Sequence, residues 1–104
     1  MKSYPKQFKY GGIRYRILSE EMPGFSGMVT KDPPVIRISP KDNQTVEEYR
    51  KTLFHEILHV ILWNCAQNKD ANLRLKEETL VAFLERELFE AKRQNPKLFK
   101  FLFG

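Results

Sequence analysis

The sequence predicts an α+β domain, a small, mainly antiparallel N-terminal sheet followed by a helix that carries H-E-x-x-H and a second, glutamate-bearing helix. Three observations predict it. Residues 8–18 alternate apolar and basic side chains around a Gly11-Gly12 pair, the pattern of a half-buried hairpin. Residues 53–63 form an apolar run interrupted only by His55, Glu56 and His59. Leu80, Val81, Leu84 and Leu88 then recur at helical spacing. At 104 residues the chain suffices for one core, so residues 1–104 are read as a single domain.

Taken in order, Phe8 to Leu18 reads as the hairpin, with Ile13, Tyr15 and Ile17 on one face and Arg14 and Arg16 on the other. Pro23-Gly24 through Pro33-Pro34 is rich in turn residues and reads as an irregular connection. Val35 to Ser39 is a short strand closed by Pro40. Thr45 with Glu48 three residues on is a capping box, so the first helix should begin at about Val46 and run to about Ala66. Gln67 to Asn72 is polar and reads as a loop. The second helix should start near Leu73 or Leu75 and reach Gln94, where Asn95-Pro96 stops it. The tail Leu98-Phe99-Lys100-Phe101-Leu102-Phe103 is too apolar to stay solvated and must pack somewhere.

The first helix carries H-E-x-x-H at His55, Glu56 and His59, which fall within about a 100° arc of one face. Because its other residues are Leu, Phe, Ile, Val and Trp, this helix is expected to be buried almost all round. Imidazoles and a carboxylate in such a setting need partners, and a divalent metal supplies one. Histidines at i and i+4 can put two ring nitrogens on one zinc ion, with the intervening glutamate beside a water on the metal. By chance this pattern arises in roughly one chain of this length in a few hundred, usually on a solvated face. Here both histidines of the chain lie in the motif, and its neighbours are apolar.

Composition sets the remaining bounds. With 41% hydrophobic and 30% charged residues, the balance is that of a soluble globular domain. The single cysteine, Cys65, excludes an internal disulfide framework and a zinc finger, and it reads as a plain buried thiol. Residues 1–6 show no apolar leader and no stretch is long enough to span a bilayer, so a cytoplasmic protein without membrane contact is expected. The net charge of +5 is uneven: residues 1–18 carry Lys2, Lys6, Lys9, Arg14 and Arg16 and no acid, whereas the other 13 bases meet 13 acids. Five charges with no recognisable binding motif read as a solvated strand face, so nucleic acid is not the expected main partner.

Catalytic zinc sites use three protein ligands and keep a fourth position for water. No third histidine exists, and position 62 is Leu, which excludes H-E-x-x-H-x-x-G-x-x-H. Asp70, Glu77 and Glu78 remain as candidates, and the apolar stripe of the second helix does not separate Glu77 from Glu78.

His55-Glu56-Ile57-Leu58-His59 followed by Glu77-Glu78-Thr79-Leu80-Val81-Ala82-Phe83-Leu84 resembles the gluzincin arrangement, H-E-x-x-H with a glutamate on the next helix. It is most similar to the smallest versions, the minigluzincin zymogens and the short prophage-type proteins related to ImmA/IrrE metallopeptidases. The likeness covers about residues 35–100. It implies a minimal zincin fold and a third ligand followed by apolar residues at +3, +6 and +10, which Glu78 matches through Val81, Leu84 and Leu88. The expected zinc ligands are therefore His55, His59 and Glu78, with Glu77 the alternative.

The resemblance further implies peptide-bond hydrolysis. Zinc would lower the pKa of a water to about 7, and Glu56 would act as general base. An extended peptide or protein substrate would pair with a strand at the cleft rim, assigned to Val35–Ser39. In the zymogens a terminal segment can occupy the cleft, so Leu98 to Phe103 could hold the enzyme latent. The competing expectation is a catalytically silent zinc-binding domain that acts as an interaction or nucleic-acid-binding module.

Overall fold

A computed structural model describes the backbone of residues 4–67 and 77–104 and the side chains of residues 4–63 and 82–104. The expected loop 67–72, the start of the second helix, Asp70 and the Cys65 side chain fall wholly or partly outside these residues. The fold is α+β, a four-stranded mixed sheet followed by three helices. The strands are β1 (Gln7–Tyr10), β2 (Ile13–Ser19), β3 (Gly27–Lys31) and β4 (Pro34–Ile38). The helices are α1 (Val46–Gln67), α2 (Glu77–Gln94) and α3 (Pro96–Phe103).

The β1–β2 hairpin forms as the sequence requires. Gly11 and Gly12 have φ of 59° and 79°, the positive values that a two-residue type I′ turn demands at both central positions. Sheet order is β1-β2-β4-β3, with β2 and β4 parallel and the other two pairs antiparallel. The region read as an irregular connection between Pro23 and Pro34 therefore contains a strand. β3 is short and lies at the sheet edge, and its turn into β4 is the two-residue Asp32-Pro33 with a cis peptide. Glycine and proline at both ends hid five residues of pairing that depend on β4 rather than on local propensity.

α1 starts where the capping box puts it. The Glu48 N–H donates to Thr45 Oγ1 at 3.1 Å, and the Thr45 N–H donates to Glu48 Oε1 at 3.0 Å. Those bonds hold the Glu48 carboxyl below its ordinary range. The expectation of burial all round is corrected: Tyr49, Leu53, Glu56, Ile57, Val60 and Ile61 form one buried stripe, whereas His55, His59 and Leu62 are exposed. A four-stranded sheet covers only one side of a helix, so the run of Leu, Ile and Trp overstates its burial.

The apolar tail is a helix, not an extended segment. α3 begins at Pro96, whose missing N–H suits the first turn. It sends Leu98, Phe99 and Leu102 into the same core as Phe8, Tyr15, Ile36 and Ile57. Phe101 meets Tyr49 edge-on at 6.0 Å between ring centroids and lies under the Arg50 guanidinium.

The Asn95 side chain does not cap α3, because it is committed elsewhere. Its Oδ1 accepts from the Lys9 N–H at 2.9 Å, and its Nδ2 donates to the Lys9 and Ala91 carbonyls at 2.8 and 2.9 Å. The amide thus occupies the outer edge of β1 as a further strand would, and it ties the α2–α3 junction to the sheet. Asn95→Ala is expected to lower stability by about 1–3 kcal/mol, measured as a lower urea midpoint with an unchanged slope. An unshifted midpoint would show that water serves Lys9 as well as the amide does.

Candidate metal centre and cleft

One turn of α1 separates His55 from His59, and both rings project on the open side of the helix. Their Nε2 atoms lie 3.2 Å apart, with the ring planes at 83°. Two nitrogens each about 2.0–2.1 Å from one tetrahedral zinc would be about 3.3 Å apart. The imidazole pair therefore fits a shared metal ion, and the open face leaves room for further ligands.

Glu56 follows His55 along the helix, lies against Gly27 of β3 and is only 6% exposed. Burial pushes its carboxyl above the ordinary carboxylate range, and the adjacent His55 and His59 oppose that shift. Among the described residues no hydrogen bond reaches its oxygens, although the side chain borders a cleft. This carboxylate is thus largely withdrawn from solvent and, among the described residues, without a hydrogen-bond partner.

The cleft has a volume of about 410 Å³. Gly24, Phe25, Ser26 and Gly27 form one wall, and Lys51, Thr52, His55 and Glu56 form the other. β3 can come this close to α1 only because residue 27 is glycine: a Cβ there would stand 2.6 Å from Thr52 Cγ2 and 3.1 Å from Glu56 Oε2. Thr52 cannot easily rotate away, since its hydroxyl donates to Asn43 Oδ1 at 2.6 Å. Buried Asn43 donates in turn to the Ser26 and Ser39 carbonyls at 2.9 and 2.7 Å. One amide side chain thus joins the two cleft walls and the end of β4. Sequence reasoning missed Gly27, Asn43 and Thr52. Their only signal was an Asn-Gln turn before a capping box and an unexplained glycine ahead of a β-branched pair.

The sequence assigns the cleft rim to Val35–Ser39, and the topology corrects this. β4 is hydrogen-bonded to β2 on one side and β3 on the other, so it has no free edge to offer. β3 is the edge strand, and it begins at the cleft. The tail does not reach the cleft either, since no α3 residue lines it.

The structure thus brings His55, Glu56 and His59 together. Among the described residues no group of three or more His, Cys, Asp or Glu side chains could hold a metal ion. Glu77 and Glu78 open α2, but their side chains, like Asp70, lie outside the described residues. Among the described residues, no helix is long and apolar enough to cross a membrane. Comparison with protein-family models, curated proteins and solved structures finds no match for this chain.

Gly27→Ala is expected to force β3 off α1 and to destabilise the fold by about 1–3 kcal/mol, read in a thermal melt. An unchanged melt would mean that the two walls part without penalty. Glu56 gives a pH signature in the metal-free protein. Its raised native pKa means that the native state holds this proton more tightly than the unfolded chain does. Stability therefore falls as pH rises from the ordinary carboxylate pKa, about 4.3, through the native value. Glu56→Gln is expected to flatten that fall and melt higher at neutral pH in chelator, with little gain at acid pH. Parallel pH profiles for the wild type and for Glu56→Gln would sink this reading.

Proposed function

We propose that the chain is a zinc-dependent peptidase that hydrolyses peptide bonds with Glu56 as general base. The observation that supports it best is the 3.2 Å approach of the two Nε2 atoms beside a buried carboxylate that has no hydrogen-bond partner among the described residues. His55 and His59 would hold the ion, and Glu78, or else Glu77, would complete the set from the start of α2. When bound, zinc supplies Lewis acidity that makes water a nucleophile near neutral pH and polarises a carbonyl.

The chain's own residues do the rest. Glu56 accepts a proton from the attacking water at its carboxylate, then gives it to the leaving amine as the C–N bond breaks. Burial raises its pKa above the ordinary carboxylate range, a direction that suits a group that must both take and return a proton. The free edge of β3 gives an extended substrate backbone a ladder to pair with. Gly27 keeps that ladder close enough to α1 for the paired peptide to pass over Glu56. Leu98, Phe99 and Leu102 belong to the core in this fold, so the proposed cleft is open rather than plugged by its own tail.

Purified protein is expected to carry one zinc ion per chain by elemental analysis and to cleave an unstructured protein such as casein. His55→Ala and His59→Ala are expected to lose the metal. Glu56→Gln is expected to keep it while losing cleavage by at least about 10²-fold. In a competitive chelator titration, Glu78→Ala should weaken zinc binding by orders of magnitude and Glu77→Ala should change it little. Stoichiometric zinc in both histidine variants would end the metal reading, and undiminished cleavage by Glu56→Gln would end the mechanism.

A further inference from the structure

The charge excess of this protein is not spread over its surface. Residues 1–18 account for the whole net charge of +5, and the β1–β2 hairpin carries three of those cations on one face of the sheet. Register shows how they are set. Lys9 stands directly opposite Arg14, and Arg16 follows two residues on along β2. All three are exposed, and they alternate with Phe8, Tyr15 and Ile17, which point the other way into the core under α1. Like charges opposite one another weaken a strand pair. Among the described residues no ion pair reaches Lys9, Arg14 or Arg16, while Glu20 is engaged by Arg37.

Beside this face, at the outer edge of β1, lies a second cleft of about 440 Å³. Lys6, Lys9 and Lys97 line it without any carboxylate, and Tyr4 and Phe101 provide aromatic surface within it. Lysine and arginine at regular spacing next to a pocket with aromatic walls match a phosphate backbone whose bases can turn inward and stack. The planar guanidinium forks of Arg14 and Arg16 suit phosphate oxygens. A lipid surface fits less well: among the described residues the large exposed apolar side chain of this hairpin, Ile13, stands opposite Tyr10, on the other face of the sheet from these cations. An acidic protein fits less well for the same reason, since protein interfaces centre on an apolar core.

We infer that the outward face of the β1–β2 hairpin, with the adjoining lysine-lined cleft, is a binding surface for single-stranded nucleic acid. The phosphates lie along Lys9, Arg14 and Arg16, and a base enters the cleft against Tyr4. The hairpin face is on the side of the sheet away from α1, and the cleft at the edge of β1 contains none of the H-E-x-x-H residues, so binding does not require them or the metal.

Fluorescence anisotropy of the full chain in chelator, with a labelled oligothymidylate of about 20 nucleotides, tests this. Binding is expected to weaken with salt at a log–log slope of about −3, as four or five phosphate contacts on a single strand require. Arg14→Glu combined with Arg16→Glu is expected to weaken binding at least tenfold. Lys41→Glu combined with Lys92→Glu removes as much charge elsewhere and should weaken it far less. An abasic oligomer and a duplex are each expected to bind less tightly than the single strand. Equal losses in the two charge-reversed variants would reduce the effect to bulk charge and overturn the proposal. So would the absence of binding at about 50 mM salt, where such contacts are strongest, or binding to phosphatidylserine vesicles in its place. Equal affinity for the abasic oligomer would remove the role given to the cleft.

Discussion

The site depends on one close approach, that of β3 to α1 at Gly27. Without a side chain at that position the strand lies against Thr52 and Glu56, and the Glu56 carboxylate is drawn out of water with no partner given to it among the described residues. Asn43 makes this arrangement rigid. It bonds the loop before β3, the end of β4 and the first turns of α1 through three hydrogen bonds from one amide. Burying a polar group is costly unless its bonds are made. Asn43 makes its bonds and therefore stabilises the cleft walls, whereas Glu56 has no hydrogen-bond partner among the described residues.

A second division of labour concerns charge. The two faces of the hairpin differ, with Phe8, Tyr10, Tyr15 and Ile17 under α1 and Lys9, Arg14 and Arg16 on the far side. The proposed hydrolytic cleft and the cationic face are therefore separated by the thickness of the sheet, and neither needs to compromise the other's electrostatics. Within the cleft the acid is buried beside His55; on the outer face the cations are exposed.

Most of the helical part of the fold was legible in the sequence because its signals are local. Gly11-Gly12, the Thr45/Glu48 box and Asn95-Pro96 each fix a boundary within a few residues, and each lies where the sequence places it. The trio His55, Glu56 and His59 was legible for the same reason, since helical spacing alone brings it together. β3 was not, because its five residues are held by β4 and by a glycine contact with a helix far along the chain. The identity of the cleft rim followed from that omission: a strand that looks terminal in sequence is central once another is paired outside it. The burial of α1 was overstated because an apolar run says which residues tolerate water poorly, not how much neighbouring surface exists to cover them.

The amide of Asn95 has a consequence for the order in which the molecule can assemble. It fastens β1 to the α2–α3 junction across 86 residues of chain, and α3 inserts three side chains into the core that β1 helps to build. Closing so long a loop is entropically unfavourable until many other contacts repay it. The hairpin, α1 and their capping box can form early from neighbouring residues, but the floor beneath them is finished only when α3 docks. During synthesis the helix that carries His55 and His59 therefore leaves the ribosome well before the fold that orients it is closed, and α3 must be made before the first strand is sealed at its edge.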